Sequence, residues 1–249
     1  MTSFKSLRVR LSQGTQYVPD LRTSTPVGHR GRPVIDQQPC AEGCVACRDV
    51  CPTRAVTLAP MAIDLGRCVF CNACVEVCPP EKIVFTPAVQ LSSHAREKLF
   101  VREGDTEAIR ARASTTFSKI FGRSLKLRQV SAGGCNACEL ELNATANVNF
   151  DLQRYGVDWV ASPRHADALV LTGPLTLAMK DAVQLAWDAM PDPRFVVAVG
   201  ACAISGGLHD SPQSDREFLA RVGPALYVPG CPPHPLTFIN AILDLIGVK

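Results

Sequence analysis

The sequence is short of aromatics and has no long apolar run, and each shortage removes a class of function. Only 15 of 249 residues are Phe, Trp or Tyr, and no recognition motif accompanies them, which argues against a nucleic-acid binder. The longest nearly uncharged apolar stretches, such as Phe195 to Leu208, fall short of the ~20 residues that span a bilayer and are rich in glycine. Met1 to Arg10 holds three basic residues with no apolar segment of signal-peptide length after them, so no secretion signal is expected. The expectation is a protein that is soluble or peripheral to a membrane. No G-x-G-x-x-G follows a strand-like run, which leaves a dinucleotide site unsupported. No acid, base and nucleophile set stands out either, so the chain need not make or break bonds itself.

What it does hold is 47% hydrophobic and 20% charged residues, the balance of an ordered globular protein. Its length allows one large or two modest domains. Twelve cysteines are too many for packing alone. Their C-x2-C and C-x3-C grouping argues against a secreted disulfide scaffold and reads as metal ligation in an intracellular chain. The net charge of +3 is unevenly spread: residues 1–35 carry six Lys/Arg against one acid and 92–128 nine against four, while the rest is acidic on balance. The basic stretches read either as solvated segments or as surfaces lying across an acidic partner subunit or anionic lipid headgroups.

Residues 1–35 alternate polar residues with Pro and Gly, as in Thr15-Gln-Tyr-Val-Pro-Asp20, and are expected to form an extended basic arm. Two copies of one motif follow, Cys40-x3-Cys44-x2-Cys47-x3-Cys51-Pro52 and Cys68-x2-Cys71-x2-Cys74-x3-Cys78-Pro79. Their last three cysteines are offset by 27 residues, and so are the tails Ala55 to Pro60 and Lys82 to Pro87, which marks two copies of one supersecondary unit. Residues 36–90 resemble a bacterial-type 2[4Fe-4S] ferredoxin domain of α+β type. In that pattern the fourth cysteine of each run serves the other cluster. The resemblance implies Cys40, Cys44, Cys47 and Cys78 for the first cluster and Cys68, Cys71, Cys74 and Cys51 for the second. A tight loop wraps three corners of a small cube and the fourth ligand arrives from elsewhere. The alternatives are two zinc sites or a metal-free core, but zinc is usually bound by pairs of thiols. The first copy has three residues, Ala41-Glu-Gly43, where two are usual, and Gly43 can absorb the extra one as a bulge.

A helical linker is expected over 91–124, with helices at Ser92 to Val101 and at Thr106 to Phe121, the latter placing Ile109, Ala113, Phe117 and Ile120 on one face. Strands and helices then alternate over 125–249. Strands are expected at Leu125 to Val130, Val157 to Ala161, Ala168 to Leu171, Phe195 to Val199 and Ala225 to Val228. Helices are expected at Glu139 to Leu152, Thr176 to Met190, Ser214 to Val222 and Leu236 to Ile246. Strands separated by helices argue for a doubly wound parallel α/β sheet, flavodoxin-like, covered on both faces. Cysteines follow the first, fourth and last strands, in Ser131-Ala-Gly-Gly-Cys-Asn-Ala-Cys-Glu-Leu-Glu141, Val199-Gly-Ala-Cys-Ala-Ile-Ser-Gly-Gly207 and Val228-Pro-Gly-Cys-Pro-Pro233. Parallel strands share a carboxyl edge, where open sheets place ligands, so four thiolates can converge there.

Cys135-x2-Cys138, Cys202 and Cys231-Pro232, with Ser162-Pro-Arg-His-Ala-Asp167 and Leu171-Thr-Gly-Pro174 between them, resemble one family. It is the small electron-transfer subunit of energy-converting, formate-hydrogenlyase-type [NiFe] hydrogenases, related to the complex I 20 kDa subunit. In that family the complex I branch has two adjacent cysteines and the hydrogenase branch separates them by two residues, as here. Ala137 and Glu139 stand where hydrogenases often have Gly and Asp. The resemblance implies a third [4Fe-4S] cluster on Cys135, Cys138, Cys202 and Cys231, next to an active site in a separate large subunit. Gly133 and Gly134 let backbone amides approach an anionic cluster at a helix start. Glu139 and Glu141 read as helix-start carboxylates favoured by the dipole or as acids near the large subunit. Arg164 and His165 read as a loop ordering the cluster edge, and His94, His209 and His234 as surface or turn residues.

The expected function is a non-catalytic electron-transfer subunit with three [4Fe-4S] clusters, joining an external donor or acceptor to a hydrogenase or complex I-type large subunit. It would sit on the cytoplasmic side, peripheral to the membrane through partner membrane subunits. Two alternatives keep the clusters: a complex I-like subunit passing electrons to a quinone or another acceptor, and a free-standing ferredoxin-like carrier.

Overall fold

The computed structural model describes residues 3–14, 17–79, 81–111 and 115–248. Features expected at Thr15, Gln16 and Ala113 lie outside them. The first element corrects the extended arm, because Ser3–Gln13 is a helix (α1). No Pro or Gly interrupts it before Gly14, and Phe4, Leu7 and Leu11 recur at helical spacing.

Beyond α1 the arm is a strap over the chain itself. The Val18 amide donates to Asn149 O at 2.9 Å, and Leu21 is fully buried. The Arg22 guanidinium donates to Asn240 Oδ1 at 2.9 Å and pairs with Asp244, while Asn240 Nδ2 donates to Leu21 O at 2.7 Å. Gln90 Nε2 ties Arg22 O to the N-terminal half at 3.1 Å. Part of the arm's basic excess is therefore spent on the chain's own carboxylate.

The strap ends in β1 (Pro33–Ile35) and the cysteine repeats follow, as α2 (Ala46–Asp49), β2 (Val56–Leu58), β3 (Met61–Asp64), α3 (Ala73–Glu76) and β4 (Ile83–Phe85). β1 pairs antiparallel with β4. The expected helix from Ser92 to Val101 is absent: a 3-10 turn over Arg96–Leu99 leads into β5 (Phe100–Arg102), which pairs with β3 to complete the sheet β2-β3-β5. Arg96 explains the difference, because its guanidinium holds the buried Asp64 carboxylate at 2.8 and 2.5 Å and draws the segment onto β3. β1 and β5 thus extend this half's sheets beyond 36–90. Of the second linker helix, Thr115–Phe121 (α4) is helical and Thr106 to Ala111 is not.

The second half runs β6 (Leu125–Ser131), α5 (Ala137–Ala144), β7 (Val157–Trp159), β8 (Ala168–Thr172), α6 (Lys180–Asp188), β9 (Phe195–Val199), α7 (Gly200–Ser205), α8 (Glu217–Val222), β10 (Leu226–Val228) and α9 (Pro235–Ile246). The five strands are all parallel in the order β10-β9-β8-β6-β7, the flavodoxin-like doubly wound arrangement. Every residue of β8 and β9 is buried, as a sheet covered on both faces requires. α5, α6 and α8 are shorter than expected, and α7 was not expected. The halves are joined at the sheet edge, where Ser93 exchanges backbone hydrogen bonds of 3.1 and 2.8 Å with Tyr227 of β10.

Candidate metal centres

The two repeats fold into loops that each end in a one-turn helix carrying the third cysteine, Cys47 in α2 and Cys74 in α3. Cys40, Cys44 and Cys47 line one cavity, of about 370 Å³, together with Cys78 from the other repeat. Met61, Val77 and two prolines supply its apolar walls. A tighter pocket is lined by Cys68, Cys71 and Cys74 with Cys51 from the first repeat, against Ile63 and Phe85. Burial pushes the Cys47 thiol up, and the thiols of Cys78 and Cys40 add to it. Burial likewise takes Cys68 up to about 12 and Cys74 up to about 11, with Cys51 and Cys71 among the neighbours that raise both. Two backbone amides point at sulfur: Ala55 N donates to Cys51 Sγ at 3.2 Å and Phe70 N to Cys68 Sγ at 3.3 Å.

The third group assembles at the carboxyl edge of the parallel sheet. β6 leads to Cys135 and to Cys138 in α5, β9 to Cys202 in α7, and β10 to Cys231. Burial raises the Cys138 thiol first, followed by the Glu139 carboxylate and the thiols of Cys202, Cys231 and Cys135. Burial, then Cys231 and Cys135, takes Cys202 up to about 11, and Cys231 is raised by burial and by Cys135. Glycine makes the approach possible. A Cβ at Gly200, whose φ is +85°, would stand 2.7 Å from Cys138 Sγ, and one at Gly207 would stand 3.3 Å from Cys202 Sγ. Gly133, at φ +100°, closes against the Thr176 side chain, where a Cβ would meet Cγ2 at 2.7 Å.

Among the described residues no three His, Cys, Asp or Glu side chains converge tightly enough to hold a single metal ion. An iron–sulfur cube asks for something else, four thiols held apart, each for its own iron, with amide donors and limited solvent around them. Two half-buried groups with four cysteines each, the second with amides on two of its sulfurs, and a third group with backbone stripped of side chains at its sulfurs, fit that demand. Raised thiols stay protonated until metal displaces the proton.

Other expected site residues fall out differently. Glu139 is half-buried and hydrogen-bonded, not a free helix-start carboxylate: burial works against its charge, but bonds from Ser131 and Thr172 outweigh it and hold its carboxyl below the usual range. Thr172 Oγ1, buried at the end of β8, donates to Glu139 Oε1 at 2.6 Å. Glu141 is half-buried, and burial raises it. Arg164 and His165 do not order the cysteine edge. They are exposed in a 3-10 turn that enters the amino end of β8, and parallel strands put their amino ends on the edge opposite the cysteines. His94 and His209 are exposed as expected, whereas His234 is half-buried and caps α9, its Nδ1 accepting from Leu236 N at 3.1 Å.

Two features escaped the sequence reading. Cys71-Asn-Ala-Cys74 and Cys135-Asn-Ala-Cys138 are the same tetrapeptide, and Asn72 (φ +76°) and Asn136 (φ +58°) are both left-handed residues opening the helix with the next cysteine. Asn tolerates that conformation better than other side chains. The repeated tetrapeptide was the available signal. Phe70, buried at φ +55° between Cys68 and Cys71, had none.

The family model described as NADH ubiquinone oxidoreductase, 20 Kd subunit, matches residues 135–245, and that described as 4Fe-4S binding domain matches 61–81. The chain is 39% identical over 127 residues to the probable membrane-bound hydrogenase subunit mbhJ of Pyrococcus furiosus, covering 50% of this chain and 75% of that one. It is 37% identical over 143 residues to formate hydrogenlyase subunit 7 of Escherichia coli, covering 57% of this chain and only 56% of that one. It is also 37% identical over 112 residues to an NADH-quinone oxidoreductase subunit of Citrifermentans bemidjiense, covering 45% of this chain and 66% of that one.

Proposed function

This chain belongs to the family of the NADH ubiquinone oxidoreductase 20 kDa subunit, and from that premise we propose that it is an iron–sulfur electron-transfer subunit of a membrane-associated oxidoreductase complex. It holds three [4Fe-4S] clusters: one on Cys40, Cys44, Cys47 and Cys78, one on Cys68, Cys71, Cys74 and Cys51, and one on Cys135, Cys138, Cys202 and Cys231. Each cluster, when bound, supplies a one-electron carrier whose potential follows its hydrogen bonds and burial. The observation that carries the reading is the grouping of all twelve cysteines into three separate sets of four neighbouring thiols.

Contacts order the three sites. Val69 and Phe70, from the loop of the second, line one cleft with Pro229, Gly230 and Cys231 of the third. Gly66 supports the same junction, since a Cβ there would come within 2.8 Å of Ile204, two residues past Cys202. The residues lining the Cys40 cavity all come from the N-terminal half. The first site is thus the one turned to an external donor or acceptor, and the third the one offered to a large subunit. The two-residue gap between Cys135 and Cys138 supports a hydrogenase-type large subunit.

Protein purified without oxygen is expected to contain about 12 iron atoms per chain and to bleach on reduction. Zinc in place of iron, or iron near four atoms per chain, overturns the three-cluster assignment. Nickel in the co-purified native complex identifies the partner as hydrogenase-type.

The large subunit needs a surface beside the third site. Leu140 follows Cys138 by two residues, Leu177 follows the Thr176 that packs on Gly133, and Leu208 follows the Gly207 that lies on Cys202. These leucines are 61%, 49% and 58% exposed. Each leucine buried in an interface is worth roughly 1.5–3 kcal/mol. The double variant Leu140→Glu/Leu177→Glu is therefore expected to weaken assembly by about 100-fold or more, with iron content unchanged. Native mass spectrometry with an iron assay checks both.

A further inference from the structure

α1 has no role in the three metal sites, and no residue from Phe4 to Gly14 is buried. At about 100° per residue Phe4, Leu7 and Leu11 fall within an arc of roughly 60°. Arg8 and Lys5 follow on one side of that stripe and Arg10 on the other, and no acidic residue precedes Asp20. On the other side of the helix Lys5, Ser6, Val9, Arg10 and Gln13 border a shallow cleft with Tyr17 of the segment that follows. Phe4, Leu7 and Leu11 are 77%, 54% and 76% exposed, and Lys5, Arg8 and Arg10 make no ion pair among the described residues. Among the described residues the arm is tied to the body at Val18 and Leu21.

We propose that α1 lies in the headgroup layer of an anionic membrane, with Phe4, Leu7 and Leu11 dipped into the acyl boundary and Lys5, Arg8 and Arg10 on anionic headgroups. A narrow apolar stripe flanked on both sides by cations, with modest overall hydrophobicity, is the pattern of a helix that lies on a bilayer and does not cross it. Charge complementarity selects the lipid: three cations without an acid meet the negative leaflet, each adding to the attraction near the surface. An acidic protein groove would take the charges but leaves the need for the exposed stripe unexplained. This contact would belong to the chain itself, in addition to any attachment through partner subunits, and it does not depend on the electron-transfer reading.

The test is flotation of the full, iron-loaded chain with vesicles of phosphatidylcholine alone and with about one third phosphatidylglycerol. The chain is expected to float with the anionic vesicles and to leave them as salt rises, with little partition to the neutral ones. Lys5→Gln/Arg8→Gln/Arg10→Gln is expected to weaken partition on the order of 100-fold, and Leu7→Glu/Leu11→Glu to abolish it. Circular dichroism and iron content should stay as in the unmodified chain, because α1 contributes nothing to either core. Three results overturn the proposal: no flotation with anionic vesicles, equal flotation with both kinds, or variants that float undiminished. If the variants lose an acidic partner subunit from the purified complex but keep their vesicle binding, the helix docks on protein and the lipid assignment is wrong.

Discussion

Cys78→Ala is expected to strip iron from the cluster proposed for the other repeat. About four of the about 12 iron atoms expected should be lost, and the spectrum that disappears should be the one lost in Cys40→Ala or Cys47→Ala, not the one lost in Cys71→Ala. The physical reason is the crossing of the chain: Cys78 stands in the cavity of Cys40, Cys44 and Cys47 and raises the Cys47 thiol, although 31 positions of sequence separate the two. Cys51→Ala gives the converse loss, since Cys51 lines the pocket of Cys68, Cys71 and Cys74. Metal binding energy is folding energy in so small a core, so both variants also melt earlier. Electron paramagnetic resonance of the reduced variants, with iron counted per chain, decides the matter. If Cys78→Ala and Cys71→Ala lose the same signal, ligation is not crossed.

Gly200→Ala is expected to remove only the cluster proposed for Cys135, Cys138, Cys202 and Cys231. The added Cβ would stand 2.7 Å from Cys138 Sγ, a distance at which carbon and sulfur cannot rest, so either Cys138 or the turn from β9 into α7 must move. The backbone at φ +85° adds a cost of about 1–2 kcal/mol for any residue with a Cβ, or roughly 2–8 °C of melting temperature in a domain of this size. Gly223→Ala separates the two causes. Gly223 also has positive φ, +70°, but a Cβ there meets nothing within 4 Å. Both variants are expected to lose stability, while only Gly200→Ala loses about four iron atoms. Equal iron in the two would show that close approach at Gly200 is not what the third site requires.

The parts legible in the sequence were those with a local cause. β9 fell at Phe195–Val199 as read, because five consecutive apolar residues are what a strand buried on both faces demands. α9 began one residue early, at Pro235, a residue suited to the first helical turn. α7 was missed because its six residues open on Gly200, run into Gly206 and Gly207, and look like loop. β5 was missed because its cause lies on another strand, where Asp64 holds Arg96. Arg164 and His165 were read as a loop at the cysteine edge, although their position just ahead of β8 was enough to assign them to the amino edge.

By itself the sequence determined the spacing of the cysteines within each loop and the alternation that makes the second half a parallel sheet, since covalent distance and side-chain periodicity are local properties. The tertiary structure decided what depends on residues far apart in the chain. It set which fourth cysteine stands beside which three, how Gly200 meets Cys138, and how Arg22 reaches Asp244 to strap the halves together. Such contacts exist only after the entropy of closing long loops has been offset by burial elsewhere, so no window of sequence contains them.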